Sequence, residues 1–364
     1  MDRIAIVGAG IGGLTTAIAL ARRDIRSVVF ERRDALPDEG AGIQIAPNAA
    51  AELHELGLGE VFEAAARPSC REIRRWQDNT VISRTDLSRY DTPYYAMRRG
   101  ALVGALREAA VVFGRRCVSV TDDGALCFAD GTGERATAVV GADGLHSAVR
   151  GLVVRDELRD SGYVAVRAVL PMETELDRVV VWLGPHRHVV AYPIGRGHLN
   201  LVVVGRPGDA NVDGWHPAVR DLIDRIERPE VHTLYDRPPA PRWHHGRVVL
   251  IGDAAHPMLP FIAQGAAQAI EDAAALARCG GRPDAFRRFE ALRRERVGPV
   301  ADLSRAGAHV YHLPDGDEQR QRDTAMAAAP PGSHDWLYGR RVASLLPSSD
   351  TSSTRDASPS FRKI

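Results

Sequence analysis

The sequence predicts an α/β fold in which a Rossmann-like dinucleotide-binding domain is interleaved with an antiparallel-sheet domain and followed by a C-terminal helical segment. Three observations predict it. A glycine turn joins an apolar strand to a small-residue helix at the start of the chain, strand-like runs ending near Gly and Asp return twice later, and stretches of short alternating strands separate these segments. With 364 residues the chain exceeds the usual single domain of roughly 100–150 residues, which fits two interleaved units.

Each element follows in order. The apolar run Ile4 to Val7 leads into Gly8-Ala9-Gly10-Ile11-Gly12-Gly13, and Leu14, Ile18, Leu20 and Ala21 then recur at helical spacing. The β-branched run Ser27 to Phe30 ends in Glu31, completing a βαβ unit whose strands should be parallel and buried. Alternation over Glu72 to Leu87 and again over Tyr163 to Val204, with turns at Pro171, Gly184-Pro185 and Gly195, predicts an antiparallel sheet. Between these stretches lie a helix over Ala101 to Ala110, strands around Val118 to Phe128 and a buried strand Ala138 to Gly141. A polar helix near Ala218 to Ile226, a strand Arg247 to Ile251 and helices over Gln268 to Arg278 and Pro283 to Arg305 follow. The segment Ser348 to Ser360, rich in Ser, Thr and Asp, buries too little to offset its ordering entropy and is expected to be disordered.

Composition narrows the function. Lys+Arg and Asp+Glu are both 47, so no cationic surplus exists to neutralise nucleic-acid phosphates. Lys363 is the only lysine, so any phosphate clamp built from side chains must be guanidinium-based. Cys70, Cys117, Cys127 and Cys279 have no metal or dithiol spacing, and His244, His245 and His256 lack ligand companions, so no metal site is expected. The chain opens directly into a strand and has no apolar run of membrane-spanning length; a cytoplasmic protein is expected.

The chemistry concentrates in three segments. In the first, Gly8, Gly10 and Gly13 suit a tight turn, close backbone approach to a pyrophosphate and helix-on-strand contact, and Glu31 stands at the offset of an acid that accepts ribose hydroxyls. The helix start offers free N–H groups and a positive dipole end to phosphate. The second, Ala138 to Ser147, ends a buried strand in Asp143-Gly144, which reads equally as a helix cap. The third runs from Arg247 through Gly252-Asp253, the proline-bracketed loop Pro257 to Pro260, and Gln264-Gly265-Ala266, where a small-residue helix start can stabilise developing negative charge.

These residues resemble the single-component, FAD-dependent aromatic hydroxylases, most closely the salicylate hydroxylase-like branch. The likeness extends through Gly40 to Ile43 with Pro47-Asn48, Arg99, Asp315-Gly316, Arg322-Asp323 and Asp335 to Gly339. It implies an FAD-binding domain at 1–71, 97–160 and 246–282, a substrate sheet at 72–96 and 161–245, C-terminal helices at 283–345 and a tail at 346–364. It also implies roles: Glu31 for ribose, Arg99 near the pyrophosphate, Asp253 for the ribityl or ribose side, Gly265 and Ala266 for the flavin's pyrimidine edge, and Asp143 for both FAD and pyridine nucleotide. Pro257 and Pro260 would line the reactive face. The plainer alternatives are a surface ion pair for Arg99 and a capping acid for Asp253. The chain departs from the family in a short Leu106 to Asp143 region, in Gly100-Ala101 after the arginine, and in Phe261, where the pyridine-acid hydroxylases carry histidine.

The activity implied is hydroxylation of an aromatic, phenolic or benzoate-like substrate with O2 and NADH or NADPH through a flavin C4a-hydroperoxide, the cofactor carrying the chemistry and the protein positioning the ring and excluding water. Only one complete glycine fingerprint is present, so the nicotinamide is expected to bind transiently at the surface. Alternation and family likeness nominate Arg167, Trp182, His188, Tyr192 and Phe261 as substrate contacts, with Arg167 or a histidine holding a carboxylate and Tyr192 or His188 taking a phenol proton. Plain core packing is the alternative for each aromatic. Competing functions are a tailoring monooxygenase or epoxidase acting on a larger phenol, indole or polyketide, and a catalytically silent flavin-binding protein.

Overall fold

The computed structural model describes residues 3–37, 40–208 and 212–345; the tail at 346–364, expected to be disordered, lies outside them. The first βαβ unit forms as expected, with strands Ile4–Val7 and Ser27–Phe30 parallel and in register from Ile4 opposite Ser27 to Val7 opposite Phe30. They belong to a six-stranded sheet ordered His244–His245, Val248–Leu250, Ala138–Gly141, Ile4–Val7, Ser27–Phe30, Val111–Val112, parallel except for the pair at the first edge. The middle strands carry unbroken runs of Val, Ile and Leu because both faces are covered.

One cover is a pair of helices, Ile11–Ala21 and Gly265–Arg278. The second is built largely of alanine, which favours the helix and keeps its surface thin. A Cβ placed on Gly12 would lie 3.2 Å from the Ala269 Cβ, so small residues on both helices set this close crossing.

The second sheet has seven strands ordered Glu230–Asp236, Arg159–Pro171, His198–Gly205, Arg187–Pro193, Arg178–Gly184, Cys70–Arg75, Val81–Asp86. Its neighbours are antiparallel, with one exception that alternation alone does not reveal: Arg178–Gly184 and Cys70–Arg75 run parallel. The edge strand Glu230–Asp236 and the small pair Gly42–Ile45 with Tyr95–Arg98 carry no clear sequence signal, and the helix expected over Ala101 to Ala110 spans Arg99–Ala105. One face of the large sheet packs on Trp215 and Val219; the other looks toward the dinucleotide unit and the helix Phe286–Val310. No helix among the described residues is long and apolar enough to cross a membrane.

A buried ionic cluster joins these parts. Arg293, wholly shielded, donates from Nε to Asp272 Oδ1 at 2.7 Å and from Nη1 to Glu271 Oε2 at 2.5 Å. Asp272 Oδ2 accepts the Gly252 N–H at 2.8 Å and His256 Nε2 at 2.6 Å, and Glu271 Oε1 accepts Asn48 Nδ2 at 2.6 Å. Arg296 adds a contact to Glu271 and donates to the carbonyls of Trp336 at 2.7 Å and Leu337 at 2.6 Å. Although burial works against it, the charges of His256 and Arg293 hold the Asp272 carboxyl down at about 2.

Arg293→Met strands two buried carboxylates, so the thermal midpoint should drop by an amount worth about 3–5 kcal/mol in a melting experiment. Asp272 has a folded pKa below its ordinary value of 3.8, so its stabilising contribution, about 2 kcal/mol, is complete above that value and fades as pH falls toward about 2. Acid titration of Asp272→Asn should lack that part of the wild-type decline.

Candidate active site

The glycine turn shows why three glycines are needed. Gly8 has φ +104°, and a Cβ there would lie 2.5 Å from the Ala142 carbonyl oxygen. A Cβ on Gly13 would sit 2.0 Å from the Gly8 carbonyl oxygen, so helix and turn touch directly. A Cβ on Gly10 meets nothing within 4 Å, because that residue opens onto a cleft of about 610 Å³ between the two sheets.

Glu31 closes the turn from behind. Its carboxylate accepts the Ala9 N–H at 2.8 Å and the Arg33 N–H at 3.0 Å. Asp143 has a different local task. It accepts Ser147 Oγ at 2.5 Å, Ala148 N–H at 2.7 Å and Val149 N–H at 3.2 Å, capping the turn that follows its strand. Ala142 and Gly144, not Asp143, line the cleft, so the contacts here are those of the capping alternative.

The cleft is prepared for an anionic, hydroxyl-bearing cofactor. Arg99 and Arg167 line it without a side-chain hydrogen bond among the described residues, and burial together with the charges of Arg33 and Arg167 lowers the Arg99 pKa. The Arg99 guanidinium beside a helix N-terminus suits a pyrophosphate, while Arg167 stands on the sheet wall of the cleft. Asp253 also faces the cleft, accepts no hydrogen bond there, and has its pKa raised by burial, which fits an acid awaiting ribityl or ribose hydroxyls. Gly265 and Ala266 begin the helix Gly265–Arg278, whose N-cap Gln264 makes no side-chain capping bond, leaving the first-turn N–H groups free toward the cleft. Ala263 holds the left-handed conformation, φ 53°, that swings the chain into this helix. These residues therefore fit FAD.

The proline loop departs from expectation. Met258 and Pro260 line the cleft, whereas Pro257 is buried outside its lining. Phe261 is buried too, with its Cβ 2.6 Å from where a Gly307 Cβ would lie and its ring centroid 5.6 Å from that of His188. Both therefore act as packing under the loop and do not line the site. Gly307 permits the long helix to approach this closely.

The large sheet supplies the far wall. Residues two apart on a strand share a face, so His188, Val190 and Tyr192 line the cleft together with Arg167, Val202 and Val204. Trp182 does not join them: it pairs with Val189, shares that residue's outward face, and donates from Nε1 to Asn79 Oδ1 at 2.7 Å in the opposite core. Burial pushes the Tyr192 hydroxyl above its ordinary range, which works against the base role expected of it.

His188 is different. Burial lowers its pKa well below 6.5, so it is neutral, and its Nδ1 lies 2.8 Å from His312 Nε2. His312, lowered by burial to about 4, approaches the Ala308 carbonyl oxygen with Nδ1 at 2.8 Å. A carbonyl only accepts, so His312 Nδ1 carries its proton and His312 Nε2 is bare. His188 Nδ1 must then donate, which leaves His188 Nε2 as a lone-pair acceptor with no other hydrogen bond among the described residues. His312 sits just beyond the end of a long helix in no local motif, and only the fold brings it to His188.

Residues 6–37 match a family described as NAD(P)-binding Rossmann-like domain, and residues 232–279 match one described as FAD binding domain. The chain is 42% identical to a 3-amino-4-hydroxybenzoate 2-monooxygenase, PtmB3, of Streptomyces platensis, covering 94% of this chain and 96% of that protein. It is 35% identical to a 6-hydroxynicotinate 3-monooxygenase of Pseudomonas fluorescens over 83% of this chain and 90% of that protein. Klebsiella pneumoniae HpxO, solved with FAD and uric acid, superposes with a TM-score of 0.82 at 25% identity, covering 92% of this chain and 95% of that one.

The two glycines make a paired prediction. Gly10→Leu points into open space, so the protein should melt like wild-type apoprotein yet purify without flavin absorbance. Gly13→Ala collides with backbone and should lower the apoprotein's melting temperature as well. Equal flavin content in wild type and Gly10→Leu would contradict this assignment of the cleft.

Proposed function

The chain belongs to the FAD-dependent aromatic hydroxylases, single-component flavoprotein monooxygenases that use NAD(P)H and O2, and from that premise we propose that its substrate is a one-ring aromatic acid carrying a hydroxyl group. Arg167 holds the carboxylate and His188 Nε2 accepts a hydrogen bond from the hydroxyl. The observation that carries this reading is the pairing of an unmatched guanidinium with a fixed proton acceptor on one sheet face. Relatives named for hydroxybenzoate and hydroxynicotinate substrates support the same chemistry.

Bound in the cleft, FAD supplies acceptance of hydride from the nicotinamide and activation of O2 for transfer of one oxygen atom to the ring. The chain's own residues do the rest. Arg99 and the free N–H groups of Gly265 and Ala266 offset negative charge on the cofactor, and Asp253 receives its hydroxyls, while Glu31, outside the lining with its carboxylate on the Ala9 and Arg33 N–H groups, holds the turn. Val190, Val202 and Val204 keep water from the reacting carbon. His188 accepts a hydrogen bond from the substrate's hydroxyl at Nε2, which draws the proton from the ring oxygen and enriches the ring, while His312 fixes the tautomer that leaves Nε2 bare. Tyr192 donates a hydrogen bond to the ring substituents.

His188→Ala should lower kcat/KM by about 10²–10⁴ with flavin content unchanged. The depressed pKa of His188 keeps the active neutral form to well below pH 6.5, so the acid limb of the wild-type pH profile should lie under that value. His312→Phe should move that limb and lower kcat, and His312→Gln, which can accept from one imidazole and donate to a carbonyl, should restore much of both. The reading as a whole is tested by oxygen uptake and product mass across hydroxybenzoates, hydroxynicotinates and their decarboxylated phenols. Acids that stimulate turnover with one oxygen atom added, and phenols that do so poorly, are expected; stimulation that yields only hydrogen peroxide would sink it.

A further inference from the structure

A second cavity, about 740 Å³, lies between the strands Cys70–Arg75 and Val81–Asp86 and the helices Phe286–Val310 and Asp317–Ala327. It shares no lining residue with the cleft. It abuts the catalytic region through Tyr311, whose ring centroid is 5.4 Å from that of His188. Its walls are mostly apolar, including Ile73, Ile262, Met326 and Leu337, and Leu303 is 40% exposed beside it.

The charged groups of this cavity differ in how they are matched. Arg84 and Arg89 in the wall are paired with Glu72 and Asp335, and Asp86 is engaged by the Ser88 N–H and hydroxyl. Arg71 has no ion-paired carboxylate among the described residues. Its hydrogen bond runs from Nη2 to His334 Nε2 at 3.2 Å, and its Nε is shut off from solvent with no acceptor. Burial and the Arg71 charge lower His334 to about 4, so this partner is neutral, with its other ring nitrogen 3.1 Å from Ser333 Oγ. The phenols of Tyr90, Tyr94, Tyr311 and Tyr338 also lie around Arg71. Glu72, next in sequence, points to the opposite face of the strand and is saturated by Arg74, Arg84 and Arg178.

An apolar chamber with one unmatched guanidinium has a definite complement: an apolar body ending in a single negative charge. A buried cation without a counter-charge is costly, and a carboxylate meets Arg in two parallel hydrogen bonds. We propose that this cavity is a second ligand site, separate from the catalytic cleft, which binds an apolar monocarboxylate through Arg71. Aromatic and alkyl acids share that chemistry.

Isothermal titration of the FAD-loaded enzyme with 2-naphthoate, decanoate and the neutral 2-naphthol tests the site without turnover, so its outcome is independent of the hydroxylase substrate. Arg71→Met removes the charge at similar length, and Ala306→Phe fills the cavity from an exposed lining position while leaving Arg71 in place. Each should weaken binding of the better acid by about tenfold or more, while Arg167→Met, altered only in the catalytic cleft, should retain it. The tighter of the two acids identifies the occupant as aromatic or alkyl. Binding of 2-naphthol as tight as 2-naphthoate, affinity unchanged in both cavity variants, or acid binding lost in Arg167→Met would overturn the proposal.

Discussion

The ionic cluster around Arg293 governs how the flavin loop is held. Asp272 and Glu271 project from the helix that begins at Gly265, yet their partners lie on three other segments: the stretch holding Gly252 and His256, Asn48, and the long helix, whose Arg296 also donates to the carbonyls of Trp336 and Leu337. Charges in so dry a place cost several kcal/mol each unless every one is matched, so this arrangement has little freedom to drift. Gly252-Asp253 and Gly265-Ala266 are thereby fixed at two sides of one cleft, and their free acceptor and donors keep a set spacing. Preorganisation of this kind lets backbone groups stabilise charge without rearranging when it forms.

The same economy appears on the large sheet. Period-two alternation sends His188, Val190 and Tyr192 one way and Val189 and Ala191 the other, so a single strand provides both the wet wall of the cleft and the dry core behind it. Packing then assigns the chemistry. A histidine in this position without His312 has two tautomers available; the chain Ala308 carbonyl, His312, His188 leaves one. The close approach at Gly307 makes that possible, because a side chain there would push the long helix off Phe261 and carry Ala308 and His312 away.

Much of the cofactor half of the site was legible in the sequence. Gly8, Gly10, Gly13, Gly265 and Ala266 are constrained by their own backbone and nearest turn, and such constraints leave a local signature. Glu31 sits at a fixed offset from the first turn, whereas Arg99 and Asp253 were nominated only by the family resemblance. Asp143 shows the limit of that logic, since a strand followed by Asp-Gly is equally a cap, and the observed donors are those of the cap. Trp182 was misread because alternation gives the period of a strand but not its phase, and the phase comes from pairing with Val189. Pro257 and Phe261 were drawn to the cleft by their loop, but the long helix packs against Phe261 and buries it.

Sequence alone thus determined the βαβ start, the two returns of the dinucleotide unit, the alternating sheet and the class of cofactor, because each leaves a local pattern of apolar runs, alternation and glycine turns in the chain. The parallel pair Arg178–Gly184 with Cys70–Arg75, the Arg293 cluster, the His188–His312 relay and the chamber around Arg71 were decided by tertiary structure. Their partners stand tens to hundreds of positions apart. Only burial, which removes water as the alternative partner, makes those particular matches obligatory.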